Sequence, residues 1–297
     1  MLDQTSSRIT IPSLQARKAA GEKIVVLTAY DYPTAEILDR SGVDLILVGD
    51  SLAMVVLGHE NTLALTMEDM LHHVKPVARA ARRALVIADM PFLSFHLSAE
   101  DAVRNAGRFL QEGGAQGVKI EGASPRRLEA VRLLVESEIP VLGHVGLTPQ
   151  SILRLGQFKV QGVDTEQAVR IVREAEALQD AGAFAVVLEC VPREVAAEIT
   201  ARLTIPTIGI GAGSACDGQV LVFHDLVGCS RGYLPKFVRK YAEMDRLIAE
   251  SVVKYREDVR SGVFPDDRHS YHLKPAASRR FRALLKGSQA RRAKKKP

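Results

Sequence analysis

The sequence predicts an α/β protein with a (β/α)8 TIM-barrel fold, because strand-like and helix-like segments alternate along most of its length. The strand-like segments are continuous apolar runs, as in parallel strands that are buried on both faces. Repeated β–α alternation produces a parallel sheet with right-handed crossovers. Eight such units in roughly 250 residues fit a closed barrel. A doubly wound open sheet is the alternative.

Each element has a local signal. The strand candidates comprise residues 24–29, 45–49, 85–88, 117–120, 140–144, 185–188, 206–210 and 232–237. The helices comprise residues 32–41, a stretch that starts near residue 66, and residues 98–112, 124–137, 165–181 and 193–203. Thr66 and Ser98 are suitable N-caps, because acids follow each of them in the first turn, and Pro125 suits a first helical turn. Gly42 and Gly182 follow helices and precede strands, as C′ glycines do.

The barrel is predicted to form a single catalytic domain over residues 1–272, followed by a basic tail over residues 273–297. The tail holds ten Lys and Arg and no acid. Without these ten, the 40 Lys and Arg of the chain fall to 30 against 35 acids, so the net charge changes from +5 to −5. Because the tail is highly charged and interrupted by Pro, Ser and Gly, we expect residues 274–297 to be poorly ordered, apart from a short helix at 278–286.

Composition argues against several classes of protein. No apolar run approaches the roughly 18 residues of a membrane span, and the first residues do not resemble a secretory signal, so a cytoplasmic protein is expected. The cysteines Cys190, Cys216 and Cys229 have no zinc-like spacing and are expected to be reduced thiols. The charge of the tail is compatible with non-specific contact to polyanions. However, the tail has a single aromatic residue, Phe281, and lacks the set of stacking aromatics and the fold of a dedicated module, so nucleic-acid binding is not expected as the main function.

Four of the apolar runs end in an acid, namely Asp50, Asp89, Glu121 and Glu189. The carboxyl ends of parallel strands meet at one edge of the sheet, which in a closed barrel is a single mouth. Mg²⁺ prefers oxygen ligands and typically takes one or two carboxylates, leaving its other positions to water and substrate. The pattern therefore indicates a metal site formed by Asp50, Asp89 and Glu121. For any one of these acids alone, a helix N-cap is the alternative.

Other side chains at this mouth have the character of substrate ligands or of a base. Lys119 lies two residues before Glu121, so both side chains face the same side of the strand, where Lys119 is expected to bind a substrate oxygen. A buried ion pair with one of the acids is a compatible alternative. His144 is expected to bind substrate by donating to an oxyanion, or else to fill the barrel as a hydrogen-bonded side chain. Glu189 is expected to be the general base, whereas Cys190 is expected to point away and is not expected to be a nucleophile.

A glycine-rich segment, Ile-Gly-Ile-Gly-Ala-Gly-Ser, occupies residues 208–214. Barrels often bind phosphate after the seventh strand, but this segment lacks the downstream features of a dinucleotide fingerprint. A tight loop that lets another segment or a ligand approach closely is the favoured interpretation.

Nine segments of the chain, between about residues 8 and 272, together resemble the ketopantoate hydroxymethyltransferase family. They are Thr28-Ala-Tyr-Asp31, Val48-Gly-Asp-Ser-Leu52, Ala88-Asp-Met-Pro-Phe92, Val118-Lys-Ile-Glu-Gly122, Gly143-His-Val-Gly-Leu-Thr-Pro-Gln150, Lys159-Val-Gln-Gly162, Leu188-Glu-Cys-Val-Pro192, Ile208-Gly-Ile-Gly-Ala-Gly213 and Pro235-Lys-Phe237. The chain departs from the usual family pattern at Ala53, at Gln157-Phe158 and at Val163. These departures bear on loop geometry and folate contact rather than on the metal and base residues.

The resemblance implies a barrel of the phosphoenolpyruvate/pyruvate superfamily that transfers a hydroxymethyl group from 5,10-methylenetetrahydrofolate to 3-methyl-2-oxobutanoate. The product is 2-dehydropantoate, and the reaction is the first committed step of pantothenate biosynthesis. The resemblance also implies one Mg²⁺ per subunit and a homo-oligomer, of which a decamer of two pentamers is one form. Carried over to this sequence, it implies that Asp50 and Asp89 bind the metal directly and Glu121 through water. Ser51 and Lys119 then hold the substrate together with Asp50 and Asp89, and Glu189 accepts the proton.

The acids at the barrel mouth suit this reaction. A 2-oxo acid can chelate Mg²⁺ through its carboxylate and keto oxygens, and the metal would stabilise the enolate that forms when Glu189 removes the C3 proton. The alternative is a carbon–carbon lyase of the same superfamily, which would share the metal acids. Many such lyases use a cysteine in a Lys-Lys-Cys-Gly-like loop, which this sequence does not contain.

Overall fold

The structure is a computed structural model that describes residues 7–230, 232 and 234–293. The chain divides into two compact units, Met1–Glu243 and Met244–Pro297. In the first unit, eight strands among the described residues pair in chain order and close into a barrel. Each strand is parallel to both of its neighbours. The predicted (β/α)8 TIM barrel is therefore confirmed, and the open doubly wound sheet is excluded.

Strands and helices alternate along most of the first unit. The strands are β1 (Ile24–Thr28), β2 (Leu45–Val48), β3 (Leu85–Asp89), β4 (Val118–Glu121), β5 (Val141–Gly146), β6 (Ala185–Glu189), β7 (Thr207–Ile210) and β8 (Gly218–Leu221). The helices are α1 (Ile11–Ala20), α2 (Tyr32–Arg40), α3 (Leu52–Val55), α4 (Met67–Ala80), α5 (Ala99–Gln111), α6 (Pro125–Glu136), α7 (Ile152–Leu155), α8 (Thr165–Asp180), α9 (Arg193–Arg202) and α10 (Phe223–Val227). A 3₁₀ turn, Pro149–Ser151, lies between β5 and α7. An additional helix precedes β1, two helices lie between β2 and β3 and between β5 and β6, and no helix lies between β7 and β8 in the described residues.

Burial on both faces explains why the strands read as continuous apolar runs. One group of side chains fills the barrel interior, including Leu45, Leu47, Leu85 and Ile87. A larger group packs between the barrel and the surrounding helices. Because both groups exclude water, neither face of a strand such as β3 tolerates an unpaired polar residue along its length.

The helix ends follow the predicted local chemistry. Thr66 and Asp69 form a reciprocal capping box at the start of α4, in which each side chain bonds to the backbone of the other. At the start of α5, Ser98 accepts a hydrogen bond from the backbone of Asp101. Such caps satisfy backbone donors that the first turn of a helix leaves without partners.

The predicted eighth strand, at residues 232–237, is wrong. The barrel closes instead through β8, Gly218–Leu221, which pairs with both β7 and β1. Residues 232 and 234–237 are not strand, and residue 233 lies outside the described residues. The true strand was missed because it begins with Gly218 and exposes Gln219, so it is not a continuous apolar run.

The second unit contains α11 (Met244–Ser261), a 3₁₀ turn at Asp267–His269 and α12 (Pro275–Ala293). Helix α12 covers most of the basic tail and is longer than the predicted helix at 278–286. Its Ala, Leu, Arg and Lys residues are strong helix formers, and Pro275 occupies the first position, where proline is tolerated. Residues 294–297 lie outside the described residues, and a domain boundary after His272 stays a prediction. Within the described part of the chain, no helix is both long and apolar enough to cross a membrane.

Candidate active site

The strand register brings the predicted site residues together at the carboxyl ends of five neighbouring strands, β2 to β6. Interior positions recur every second residue along a strand, so Asp89 follows the interior residues Leu85 and Ile87. Glu189 follows Ala185 and Val187 in the same way. The paired positions across the strands are Val48 with Ala88, Asp89 with Lys119, Glu121 with His144, and Gly146 with Glu189.

The three candidate metal acids are buried, and two of them, Asp89 and Glu121, lie beside the same lysine. The Lys119 ammonium lies 2.9 Å from Oδ1 of Asp89 and 3.9 Å from Oε1 of Glu121. The other oxygen of Asp89, Oδ2, accepts a 2.9 Å hydrogen bond from the backbone N–H of Asp50. None of these acids caps the helix that follows it, because the N-cap residues of α3, α5 and α6 are Ser51, Ser98 and Ser124. The N-cap alternative therefore does not apply.

Burial of three acids around one cation leaves an excess of negative charge. Burial raises the pKa of Asp89 to about 7, with Asp50 adding to the effect and Lys119 opposing it. Burial and the nearby Asp50 also raise the pKa of Glu121 well above its usual range. Burial works against the charged form of Lys119, but Asp89, Glu121 and Asp50 outweigh it and raise the pKa of the ammonium. A further cation would relieve the repulsion among the three acids.

The donor set fits a hard divalent cation. Among the described residues, no group of three or more His, Cys, Asp or Glu side chains converges in an arrangement ready to hold a metal. A Mg²⁺ site requires no such group, because this ion often binds through one or two carboxylates and keeps several waters. Asp50 and Asp89, linked by the hydrogen bond between Asp50 N and Asp89 Oδ2, supply such a carboxylate pair.

A chain of polar contacts runs from the metal acids to the candidate base. Nζ of Lys119 lies 3.1 Å from Nδ1 of His144, and Nε2 of His144 lies 3.3 Å from Oε2 of Glu189. Burial and the charge of Lys119 lower the pKa of His144, so its ring is neutral. A lysine ammonium can only donate, so Nδ1 accepts and the ring proton is on Nε2. Nε2 is buried and makes no aligned hydrogen bond within the described residues, and its nearest carboxylate oxygen is Oε2 of Glu189. His144 therefore lies between the candidate base Glu189 and Lys119.

Ser51 has a partner that the sequence analysis did not single out. The Tyr30 hydroxyl lies 2.8 Å from Oγ of Ser51. Burial raises the pKa of Tyr30 above its ordinary value, so the phenol stays protonated and can donate to Ser51. The Tyr30 carbonyl also accepts a 2.7 Å hydrogen bond from Nδ1 of His73, on α4. The start of α2 is thereby tied to the residue after Asp50.

Gln150 is a second residue that sequence reasoning missed, although it ends one of the family motifs. It lies in the 3₁₀ turn after β5 and contacts both Asp50 and Glu121. An uncharged side chain in a loop carries no sequence signal of its own, and only the fold brings Gln150 to the acids.

Two further predictions concern Cys190 and the glycine-rich segment. Burial, assisted by the charge of Glu189, raises the pKa of the Cys190 thiol to about 12, which agrees with the expectation that it is not a nucleophile. At Gly211, the space that a Cβ would occupy lies 2.7 Å from Cδ1 of Phe237. This supports the interpretation of residues 208–214 as a tight loop that another segment of the chain approaches closely.

Comparison with known proteins identifies the family of this chain. Residues 8–267 match the sequence profile of the family described as ketopantoate hydroxymethyltransferase. The 3-methyl-2-oxobutanoate hydroxymethyltransferase of Syntrophomonas wolfei is 53% identical over 268 residues, which cover 90% of this chain and 97% of the relative. The enzyme of the same name from Trichlorobacter lovleyi is 56% identical over 264 residues, covering 89% and 98%.

Solved structures with much lower identity share the fold. Phosphonopyruvate hydrolase, in a complex with oxalate and Mg²⁺, superposes with a TM-score of 0.56 at 13% identity, covering 95% of this chain and 99% of that one. A 2,3-dimethylmalate lyase of the PEP mutase/isocitrate lyase superfamily gives a TM-score of 0.55 at 15% identity, covering 94% and 98%. These structures support the barrel, and the sequence match defines the relationship more closely. The chain belongs to the ketopantoate hydroxymethyltransferase family.

Proposed function

We propose that this protein transfers a hydroxymethyl group from 5,10-methylenetetrahydrofolate to 3-methyl-2-oxobutanoate, giving 2-dehydropantoate, with Mg²⁺ as its cofactor. The observation that carries the proposal is the buried group of Asp50, Asp89, Glu121 and Lys119, linked through His144 to Glu189. Such a site combines an excess of acids for a cation with a separate carboxylate for a base. The names of relatives that are more than 50% identical support the same reaction.

Asp50 and Asp89 are the residues that would hold the cation, with Glu121 beside them. Bound Mg²⁺ would supply Lewis-acid chemistry at the oxygens of a 2-oxo acid. Lys119 and Ser51 supply hydrogen-bond donors for the same substrate oxygens. The positive charge of Lys119 offsets negative charge that develops on the keto oxygen as C3 loses its proton, which is the electrostatic contribution of a preorganised site.

Glu189 is proposed as the base that breaks the C3–H bond of the substrate and holds the proton on its carboxylate. Its side chain is 17% exposed, compared with 2% for His144, so it is the more accessible end of the contact between them. Nε2 of His144 lies 3.3 Å from Oε2, close enough for its N–H to orient this carboxylate after a small rotation of either side chain. The electron pair released at C3 then forms the new carbon–carbon bond to the one-carbon unit, whose two bonds to the folate nitrogens break. Water supplies the hydroxyl oxygen, and tetrahydrofolate leaves with two protons on its nitrogens, one equivalent to the proton taken from C3 and one from water.

The base assignment is tested by exchange of the C3 proton of 3-methyl-2-oxobutanoate with deuterated solvent, followed by NMR without the folate. General base catalysis contributes about 10²–10⁴-fold to a rate, so Glu189→Gln should lower the exchange rate by roughly that factor. Substrate affinity, measured by calorimetry, should be nearly unchanged. Glu129→Gln, at an exposed position of α6, is the matched control and should exchange normally. Wild-type exchange in Glu189→Gln would remove Glu189 from the base role.

The proposal also includes a cytoplasmic homo-oligomer, as the family resemblance implies. Analytical ultracentrifugation of the full chain at assay concentrations should show one assembly larger than the monomer. A fully active monomer under those conditions would contradict this part of the proposal.

A further inference from the structure

Gln150 is held in the site by a short, well-packed turn. Strand β5 ends at Gly146, and the next backbone N–H, that of Leu147, donates a 2.8 Å hydrogen bond to the carbonyl of Glu189. The turn then closes on itself, because Ser151 N donates to the Thr148 carbonyl at 2.8 Å and the Thr148 and Ser151 hydroxyls lie 2.9 Å apart. Gln150, between them, is only 7% exposed. The fold therefore fixes this side chain in the barrel mouth.

Three hydrogen bonds join Gln150 to the candidate metal acids and their surroundings. Its backbone N–H donates to Oε2 of Glu121 at 3.0 Å. Its side-chain Nε2 donates to Oδ2 of Asp50 at 3.0 Å and to the carbonyl of Met90, the residue after Asp89, at 2.9 Å. One residue from the β5 loop thus contacts the ends of β2, β3 and β4 at once.

Chemistry fixes which way the Gln150 amide points. A carboxylate and a backbone carbonyl are hydrogen-bond acceptors, so the group between Asp50 Oδ2 and the Met90 carbonyl must offer two hydrogen-bond donors. Only the NH₂ of the amide does so. The reverse orientation would place three acceptors together without a donor, so the amide oxygen Oε1 is the atom left over.

Oε1 of Gln150 is itself an unusual atom. It is buried, and no described residue donates a hydrogen bond to it. A buried acceptor without a donor costs free energy, so its retention indicates a partner that joins in the working enzyme. Mg²⁺ in proteins usually keeps several water ligands, each of which is a hydrogen-bond donor.

We infer that Gln150 is a positioning residue for the cation site: it fixes the carboxylates of Asp50 and Glu121 and offers Oε1 to a water ligand of the metal. The inference rests on the proposed function for the presence of the cation. It goes further than that proposal, because it states that a neutral residue, in addition to the acids, contributes to the affinity of the site for the cation. Outer partners of this kind typically contribute about 10–100-fold to metal affinity or activity.

Gln179 offers a matched control for a purely structural glutamine. Its Oε1 accepts hydrogen bonds from Thr204 N at 2.7 Å and Ile205 N at 3.3 Å, and from Oγ1 of Thr204 at 3.1 Å. These groups precede β7, at the end of the barrel opposite to the mouth. Loss of the Gln179 side chain should therefore lower stability without reaching the acids.

The test measures the affinity of the full-length protein for Mn²⁺ by electron paramagnetic resonance of the free ion, with Mg²⁺ competition, in the absence of substrate. Gln150→Met keeps the size of the side chain and the backbone N–H to Glu121 but removes the donor to Asp50 and the free acceptor. It should weaken Mn²⁺ binding by about 10–100-fold. Gln179→Met should melt at a lower temperature but bind Mn²⁺ as the wild type does.

If Gln150→Met does not fold, Gln150→Asn replaces it, because this variant retains a polar amide but ends one methylene short of Asp50. The same loss of affinity is expected. Unchanged Mn²⁺ affinity in the folded variant, or an equal loss in Gln179→Met, would overturn the inference and leave the proposed function intact. A wild-type protein that binds neither Mn²⁺ nor Mg²⁺ would overturn both.

Discussion

Replacement of Gly146 by alanine should disturb the proposed base, because this glycine of β5 pairs directly with Glu189 of β6. Its φ angle is +95°, which L side chains rarely adopt. A Cβ at this position would overlap the carbonyl oxygen of Glu189 and lie 2.7 Å from Cγ1 of Val191. The obstructing atoms belong mainly to the backbone, so no flexible side chain can move aside. Gly146→Ala must therefore displace the end of β6, which carries Glu189.

The cost has two parts. The strained backbone accounts for about 1–3 kcal/mol, and insertion of an extra carbon into a packed region accounts for about 1–3 kcal/mol more. Gly156 provides a control for the first part alone, because its φ angle is +74° but no atom lies within 4 Å of the space for a Cβ. A change of 1 kcal/mol shifts the melting temperature of a domain of this size by roughly 2–4 °C. Gly146→Ala should therefore melt about 2–12 °C below Gly156→Ala.

The assay combines thermal unfolding, followed by circular dichroism, with the C3 exchange rate of each variant. Gly146→Ala should lose both stability and exchange activity, whereas Gly156→Ala should lose some stability and keep its exchange rate. If Gly146→Ala melts no lower than Gly156→Ala and exchanges at the wild-type rate, the close approach of β5 to Glu189 does not position the base.

Two further predictions concern the substrate side of the site and the tail. Tyr30→Phe removes the hydroxyl that bonds to Ser51, and a typical net hydrogen bond of about 1 kcal/mol predicts a roughly fivefold higher KM for 3-methyl-2-oxobutanoate in steady-state kinetics; an unchanged KM would show that Ser51 needs no support from Tyr30. Truncation after His272 should leave turnover unchanged, because the family match ends at residue 267, and a large loss in the same assay would show that the tail belongs to the active assembly.

The barrel was predictable because both faces of its strands are buried. Seven of the strands are apolar enough to read directly from the sequence, and their boundaries agree with the structure to within two residues at either end. The eighth, Gly218–Leu221, was not predictable in this way, because its pairing with β7 and β1 rather than its composition makes it a strand. Barrel closure is a property of the whole sheet and has no local sequence signal.

The acids of the site were predictable for the same reason as the strands. A charge at the end of a buried apolar run stands out, and Asp50, Asp89, Glu121 and Glu189 all have this signal. Lys119 could be predicted as a site residue because side chains two positions apart on a strand face the same side, and Lys119 lies two residues before Glu121. Tyr30 and Gln150 were missed as site residues, because Tyr30 reads as ordinary core and Gln150 as loop, and their roles depend on hydrogen bonds to distant parts of the chain.

The proposed reaction is tested most directly by a turnover assay with 3-methyl-2-oxobutanoate and 5,10-methylenetetrahydrofolate, run with and without EDTA. We expect formation of 2-dehydropantoate, its loss on chelation and its recovery when excess Mg²⁺ is added. Product formation that persists in metal-free protein would contradict the role of the acids as a cation site. No product with both substrates and Mg²⁺ present would contradict the proposed reaction itself.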